Sequence, residues 1–187
     1  MRCTFLQPLP EITSPGDVQN CNKCELAHQR SRVFWGEGNI KAPVFVLLDN
    51  PGARENKEGI PYLCGTRETL LETAEEAGVT REQLFVSYVL KCRPLRAYDK
   101  PFARQTCLGY LWGQLDEVKP NVVFTLGDVA TRSFFEDPDV SVKDLRGSVH
   151  KIKGHNVVAS YHPLAVRRRP NLRELLSEDW RLVATLI

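Results

Sequence analysis

"APVFVLLDNPG", residues 42–52, carries the reading of the fold. From Ala42 to Leu48 the chain is apolar and β-branched without alternation, then meets a Pro-Gly loop. That is the pattern of a strand buried on both faces. The same sign recurs downstream, with helical patterns between. "TRETLLETAEEAGV" reads as a helix from Thr66 that stops at Gly78. "QLFVSYVLKC" reads as a second strand. "FARQTCLGYLWGQLDEVKP" is helical, with apolar residues recurring at Leu108, Leu111 and Leu115. "NVVFTLGDVATRSFF" is strand, glycine turn and helix, and "HNVVASYHPLA" is a strand ending in a His-Pro loop. "LRELLSEDWRLVATLI" closes the chain as an amphipathic helix. Strands alternating with helices predict an α/β protein with a mainly parallel sheet. Ligands in such sheets sit at the carboxyl ends of the strands. The loops to watch are therefore "DNPGARE", "YVLKCRP", "TLGD" and "SYHPLAVRRR".

The 187 residues suit one domain. Met1 to Gln19 is proline-rich and weakly periodic and reads as an N-terminal arm, with residues 20–187 as the domain. No apolar run approaches the roughly 20 residues that span a bilayer. The N-terminus has neither an apolar h-region nor a small-residue cleavage site, so it does not read as a signal peptide. A cytoplasmic protein without stable disulfides is expected. Six cysteines in such a chain point to metal binding or redox work. A net charge of +2 does not by itself announce a nucleic-acid partner. Its distribution says more: Lys91 to Arg104 is one basic cluster, and Arg167, Arg168 and Arg169 with nearby Arg173 form another.

Cys21, Cys24, Cys92 and Cys107 form C-x2-C, a long gap, then C-x14-C. A thioredoxin-type pair follows a strand, whereas this one precedes the first convincing strand. A zinc ribbon repeats the close pair, and here the second pair is spread from a strand end to a helix. Four thiolates also hold iron–sulfur clusters, whose cysteine spacing varies widely. Plain core cysteines at 92 and 107 are the remaining reading. Cys3 and Cys64 stay outside the set.

"CNKCELAHQRSRVFWGEGNIKAPVFVLLDNPG" resembles the start of the iron–sulfur uracil-DNA glycosylases, family 4 of the uracil-DNA glycosylase superfamily. The likeness continues in order through "GIPYLC", "YVLKCRPL", Cys107, "LGDVA", Arg146-Gly147 and "YHPLAVRRRP". Each piece is weak alone, and the ordered set is specific. The resemblance implies a three-layer α/β/α sandwich around a short, mainly parallel sheet of about four strands, a usual size. It implies a [4Fe-4S] cluster on Cys21, Cys24, Cys92 and Cys107, with zinc as the alternative. The cluster would tether the Cys92–Cys107 segment, whose Arg93, Arg96, Lys100 and Arg104 suit a phosphate backbone.

The resemblance further implies a monomeric, nucleoid-associated DNA glycosylase that flips a base into a pocket and leaves an abasic site. No lysine stands out as a Schiff-base nucleophile, so a monofunctional enzyme is expected. The loop Leu48 to Gly52 looks like a hybrid. Asp49 stands where family 4 has glutamate, and Asn50 falls on the water-positioning asparagine of the mismatch-specific branch. Asn50 would place the water, helped by Asp49 or Glu55, while Pro51 and Gly52 line the pocket. His162 would donate toward the departing base. Arg167, Arg168 and Arg169 lie on the loop that enters the duplex.

The base pocket departs from the family. Tyr62 replaces the phenylalanine that stacks on uracil, and Tyr88 replaces the asparagine that reads its polar edge. A phenol cannot make the paired donor and acceptor contact of an amide. Cys64 and Arg67 replace two glycines. The expectation is a modified pyrimidine as substrate, such as the hypermodified cytosine of phage DNA, with a role in antiphage defence. The alternatives are uracil excision in base excision repair and an inactive DNA-binding sensor.

Overall fold

The computed structural model describes residues 8–58 and 65–187. The strands in chain order are β1 (Glu11–Ile12), β2 (Gly36–Gly38), β3 (Val44–Leu48), β4 (Leu84–Tyr88), β5 (Val122–Leu126), β6 (Val149–Ile152) and β7 (His155–Ser160). The α-helices are α1 (Gly16–Gln19), α2 (Ala53–Glu58), α3 (Thr66–Glu76), α4 (Lys100–Val118), α5 (Asp128–Phe135), α6 (Val142–Leu145), α7 (Pro163–Arg168) and α8 (Arg173–Ala184). The strands form one sheet in the order β1-β2-β4-β3-β5-β7-β6.

The sheet is wider than the sequence suggests. β4, β3, β5 and β7 are the parallel strands, and they are the expected apolar runs. The three additional strands are short, antiparallel and placed at the edges. Antiparallel edge strands on a parallel core are common in large sheets. Within the stretch read as an arm, Glu11 and Ile12 pair with β2, and Leu9 and Val18 are buried.

Alternation along the strands splits the core into two layers, as a strand covered on both faces requires. Val44, Val46 and Leu48 face one side with Leu70 and Leu71 of α3 and Trp180 of α8. Phe45 and Leu47 face the other side with Leu108, Leu111 and Leu115 of α4 and Phe134 of α5. A third cluster, around Leu26, Trp35, Leu90 and Ala103, surrounds Cys92 and Cys107. Among the described residues no helix is long and apolar enough to cross a membrane.

Register brings the loops together. Leu48 pairs with Tyr88 and Leu126 with Ser160, so the carboxyl ends of all four parallel strands open on one rim. Arg146 and Gly147, the "RG" of the sequence, are structural. Both bind the buried Asp179 of α8, which also takes the Ser160 hydroxyl at 2.5 Å.

Candidate active site

A cleft of about 960 Å³ opens at that rim. It is lined by Asp49, Asn50, Gly52 and Glu55 after β3, by Arg67 of α3, by Tyr88, and by His162 after β7. Arg93 and Arg167 also line it. Most of the residues singled out after β3, β4 and β7 therefore meet in one place, while Pro51 is buried and neither it nor Arg168 and Arg169 line the cleft. Tyr62 and Cys64 lie outside the described residues.

Asn50 points its amide two ways. Its Nδ2 donates to the Pro51 carbonyl at 2.9 Å, which leaves Oδ1 as an acceptor for water. Beside it, Oδ1 of Asp49 is buried without a hydrogen-bond partner among the described residues. Burial pushes the Asp49 carboxyl up, against the pull of Arg104, Arg93 and Lys100. Glu55 is already engaged: one oxygen takes the Gly52 N–H, and the other lies 3.5 Å from Arg67. It holds the turn and the guanidinium. Arg93 donates to the Pro51 carbonyl at 3.1 Å, so this basic residue braces the same loop.

His162 caps α7. Its Nδ1 accepts from the Leu164 N–H at 3.1 Å, so the proton of the neutral ring lies on Nε2. Gly127, with φ +90°, makes room for it: a Cβ there would meet the His162 Cβ at 3.0 Å. Burial, with the charge of Arg67, lowers the imidazole from 6.5 to about 4. The unfolded chain thus binds this proton more tightly than the folded one. Acid destabilises the fold as pH falls from 6.5 towards about 4, and the ring is neutral above that window. Single-turnover base release should show no histidine limb between about pH 5 and 8. Its acid limb should belong to Asp49, lie above the usual carboxylate range and vanish in Asp49→Asn. A limb near 6.5 that survives in that variant would show His162 titrating.

Tyr88 does not swing away from the pocket. It is 3% exposed, its hydroxyl accepts from Arg67 Nη2 at 2.6 Å, and it lies 3.4 Å from Glu37 Oε1. The same Nη2 pairs with Glu37. This network of Glu37, Arg67, Glu55 and Tyr88 was only half legible. Arg67 was visible as a replaced glycine near DNA, and Glu37 only as a letter of "GEGN".

Cys21, Cys24, Cys92 and Cys107 line a second, smaller cavity, together with Arg30, Lys91 and Tyr110. All four are free thiols. Arg30 reaches Cys92 Sγ at 3.7 Å and the Cys21 carbonyl at 2.6 Å. Burial pushes the Cys92 thiol up to about 12 and raises that of Cys107. Thiols held so high become thiolates only with a metal to stabilise the charge, and the donor set suits an iron–sulfur group. Among the described residues no three His, Cys, Asp or Glu side chains are grouped as for a single metal ion. The four cysteines are among the residues that line one small cavity.

Lys91, read as part of a basic loop, is 1% exposed. Its ammonium donates to Ser87 Oγ, the Tyr88 carbonyl and Gln114 Oε1 at 2.6 to 2.8 Å. It ties β4 to α4 and is not available to DNA. Arg167 and Arg168 at the end of α7, and Arg169 just after it, are exposed.

Comparison with known proteins agrees with this geometry. The sequence profile of the Uracil DNA glycosylase superfamily matches residues 35–184. A type-4 uracil-DNA glycosylase of Archaeoglobus fulgidus is 32% identical, over 91% of this chain and 89% of its own. That of Sulfurisphaera tokodaii is 34% identical, over 91% and 81%. That of Thermotoga maritima is 32% identical, over 92% of each. With the strand ends, the asparagine, the histidine and the four cysteines all in place, the chain belongs to the uracil-DNA glycosylase superfamily and, within it, to the family of the type-4 uracil-DNA glycosylases.

Proposed function

We propose that this protein is a DNA glycosylase that hydrolyses the N-glycosidic bond of a flipped-out base and leaves an abasic site, and that the base is a modified pyrimidine and not uracil. The activity follows from the family and from the cleft. The substrate rests on one observation: the position that reads uracil in the family is a buried tyrosine locked by Arg67 and Glu37. A site whose polar partners do not match a base rejects it strongly.

The chemistry needs a placed water, a donor for the departing base and an excluded pocket. Asn50 Oδ1 orients the water, and Asp49 takes its proton. The C1′–N1 bond breaks with its electron pair leaving on the base, and the water oxygen bonds to C1′. Charge that builds on the base is met by His162 Nε2–H. Arg167 and Arg168 of α7, with Arg169 just after it, hold the duplex backbone around the extruded nucleotide.

Cys21, Cys24, Cys92 and Cys107 are the residues that would hold a [4Fe-4S] cluster, and the meeting of four free thiols at one small cavity supports that reading. The group would be architectural: it fixes the 92–107 segment, which carries Arg93 against the Pro51 carbonyl.

The test is a panel of duplexes containing uracil or thymine mismatches, alongside native modified phage DNA, scored for alkali-labile sites and released base. Release from modified DNA and none from uracil is expected. Comparable release of uracil would return the chain to uracil chemistry. Binding without alkali-labile sites in any substrate would leave a DNA-binding sensor.

A further inference from the structure

Arg67 stands in the first turn of α3, 4% exposed, and lines the cleft beside His162 and Tyr88. Among the described residues, its hydrogen bonds run through one nitrogen. Nη2 meets Glu37, the Tyr88 hydroxyl and Glu55. Nε is buried and has no partner among the described residues. A guanidinium is a planar fork of five N–H donors, and a buried donor without an acceptor is costly unless something completes it. The group is also fixed before any base arrives, because two carboxylates on separate elements clamp it. A charge positioned in advance is what stabilises a developing anion.

Pyrimidines differ in the edge they offer such a group. Uracil carries an N3–H between two carbonyl oxygens, and arginine has no acceptor for that proton. A cytosine-type base carries acceptors at N3 and O2 and a donor at its 4-amino group, which carboxylates accept. Glu55 lies in the same cleft as Arg67. The leaving groups differ as well. The anion of a 4-aminopyrimidine spreads its charge over one carbonyl where that of uracil has two, so it departs less readily. A permanent cation in the pocket offsets that difference.

We propose that Arg67 is a catalytic and specificity-determining residue whose remaining N–H groups take the N3/O2 edge of a flipped-out 4-aminopyrimidine and stabilise the negative charge as the base departs. This rests on the glycosylase reading above and names its substrate class. Tyr88 and Glu37 are positioning residues for the guanidinium. The step balances as hydrolysis: C1′ gains the water oxygen, the base leaves with the C1′–N1 electron pair, and the proton shed by water to Asp49 neutralises the base.

The test compares two duplexes of one sequence, with a single 5-hydroxymethylcytosine or a single 5-hydroxymethyluracil, so that only the 4-amino or 4-oxo edge differs. Native modified phage DNA is run in parallel. Wild type should release the cytosine-type base in preference. Arg67→Gln should lower kcat by about 100-fold with DNA affinity nearly unchanged, and Arg67→Lys should recover part of the loss. The double variant R67G/Y88N should reverse the preference between the two duplexes. Because Arg67→Gln leaves Glu37 buried alone, E37Q/R67Q, which removes the charge pair together, is assayed beside it, and thermal melting checks both folds. Equal release from both duplexes, or full activity in a folded E37Q/R67Q, would overturn the proposal and leave the glycosylase reading standing. A wild type that leaves both duplexes and the phage DNA intact would overturn the two together.

Discussion

Alanine at position 50 is expected to lower the rate of base release by about 1,000-fold while duplex binding stays within about twofold of the parent chain. The separation follows from what the side chain touches. Asn50 spends its Nδ2 on the Pro51 carbonyl and offers Oδ1 to the cleft. It has no part in the basic surface at the end of α7, where Arg167, Arg168 and the following Arg169 are exposed. The loop itself has other anchors: Arg93 on the Pro51 carbonyl and Glu55 on the Gly52 N–H. Loss of the amide should therefore remove the water's partner and leave the loop standing. Single-turnover rates with an anisotropy titration on the same substrate decide it. Equal losses of rate and affinity would make Asn50 a structural residue.

Cys92→Ala should do more damage to the molecule than any change in the cleft. Cys92 is 4% exposed, lies at the end of β4, and packs with Cys107, Leu26 and Trp35 in a core of its own. A metal group held there contributes folding energy directly. The variant should lose the broad visible absorption of a cysteine-ligated cluster. Its melting temperature should fall by at least about 10 °C, several kcal/mol for a domain of this size. A colourless variant that melts with the parent would mean that the thiols only fill space. Stoichiometric zinc and no iron in the parent protein would replace the cluster with the alternative metal.

Strand β3 and its parallel neighbours were legible because each is a short apolar run ending at a loop, and burial on both faces demands that composition. The edges were not. β2 is Gly-Glu-Gly, with almost no side chain to carry a pattern. β1 has two residues. β6 alternates exposed and half-buried positions as an edge strand does, which gives a weak signal in "VHKI". In the cleft, the asparagine, aspartate and histidine were legible from the ends of strands. Arg67 was harder to place, although the signal existed. Helical spacing puts position 67 on one stripe with Leu70, Leu71 and Ala74, all buried. A cation at the head of an apolar stripe needs a buried partner. Lys91 misled for a related reason: it continues β4 inward, among residues that the charge count alone placed at the surface.

The pairing of Arg67 with Tyr88 also constrains how such a pocket can arise. The two residues lie on α3 and at the end of β4, yet a hydrogen bond from Arg67 Nη2 to the Tyr88 hydroxyl joins them. A lineage that gained the arginine first would have its two carboxylates but lack the hydroxyl, and one that gained the tyrosine first would lack the guanidinium from which its oxygen accepts. Each route passes through a less stable ancestor, so the two codons are bound to change almost in step. Among its relatives, tyrosine at the one site should announce arginine at the other.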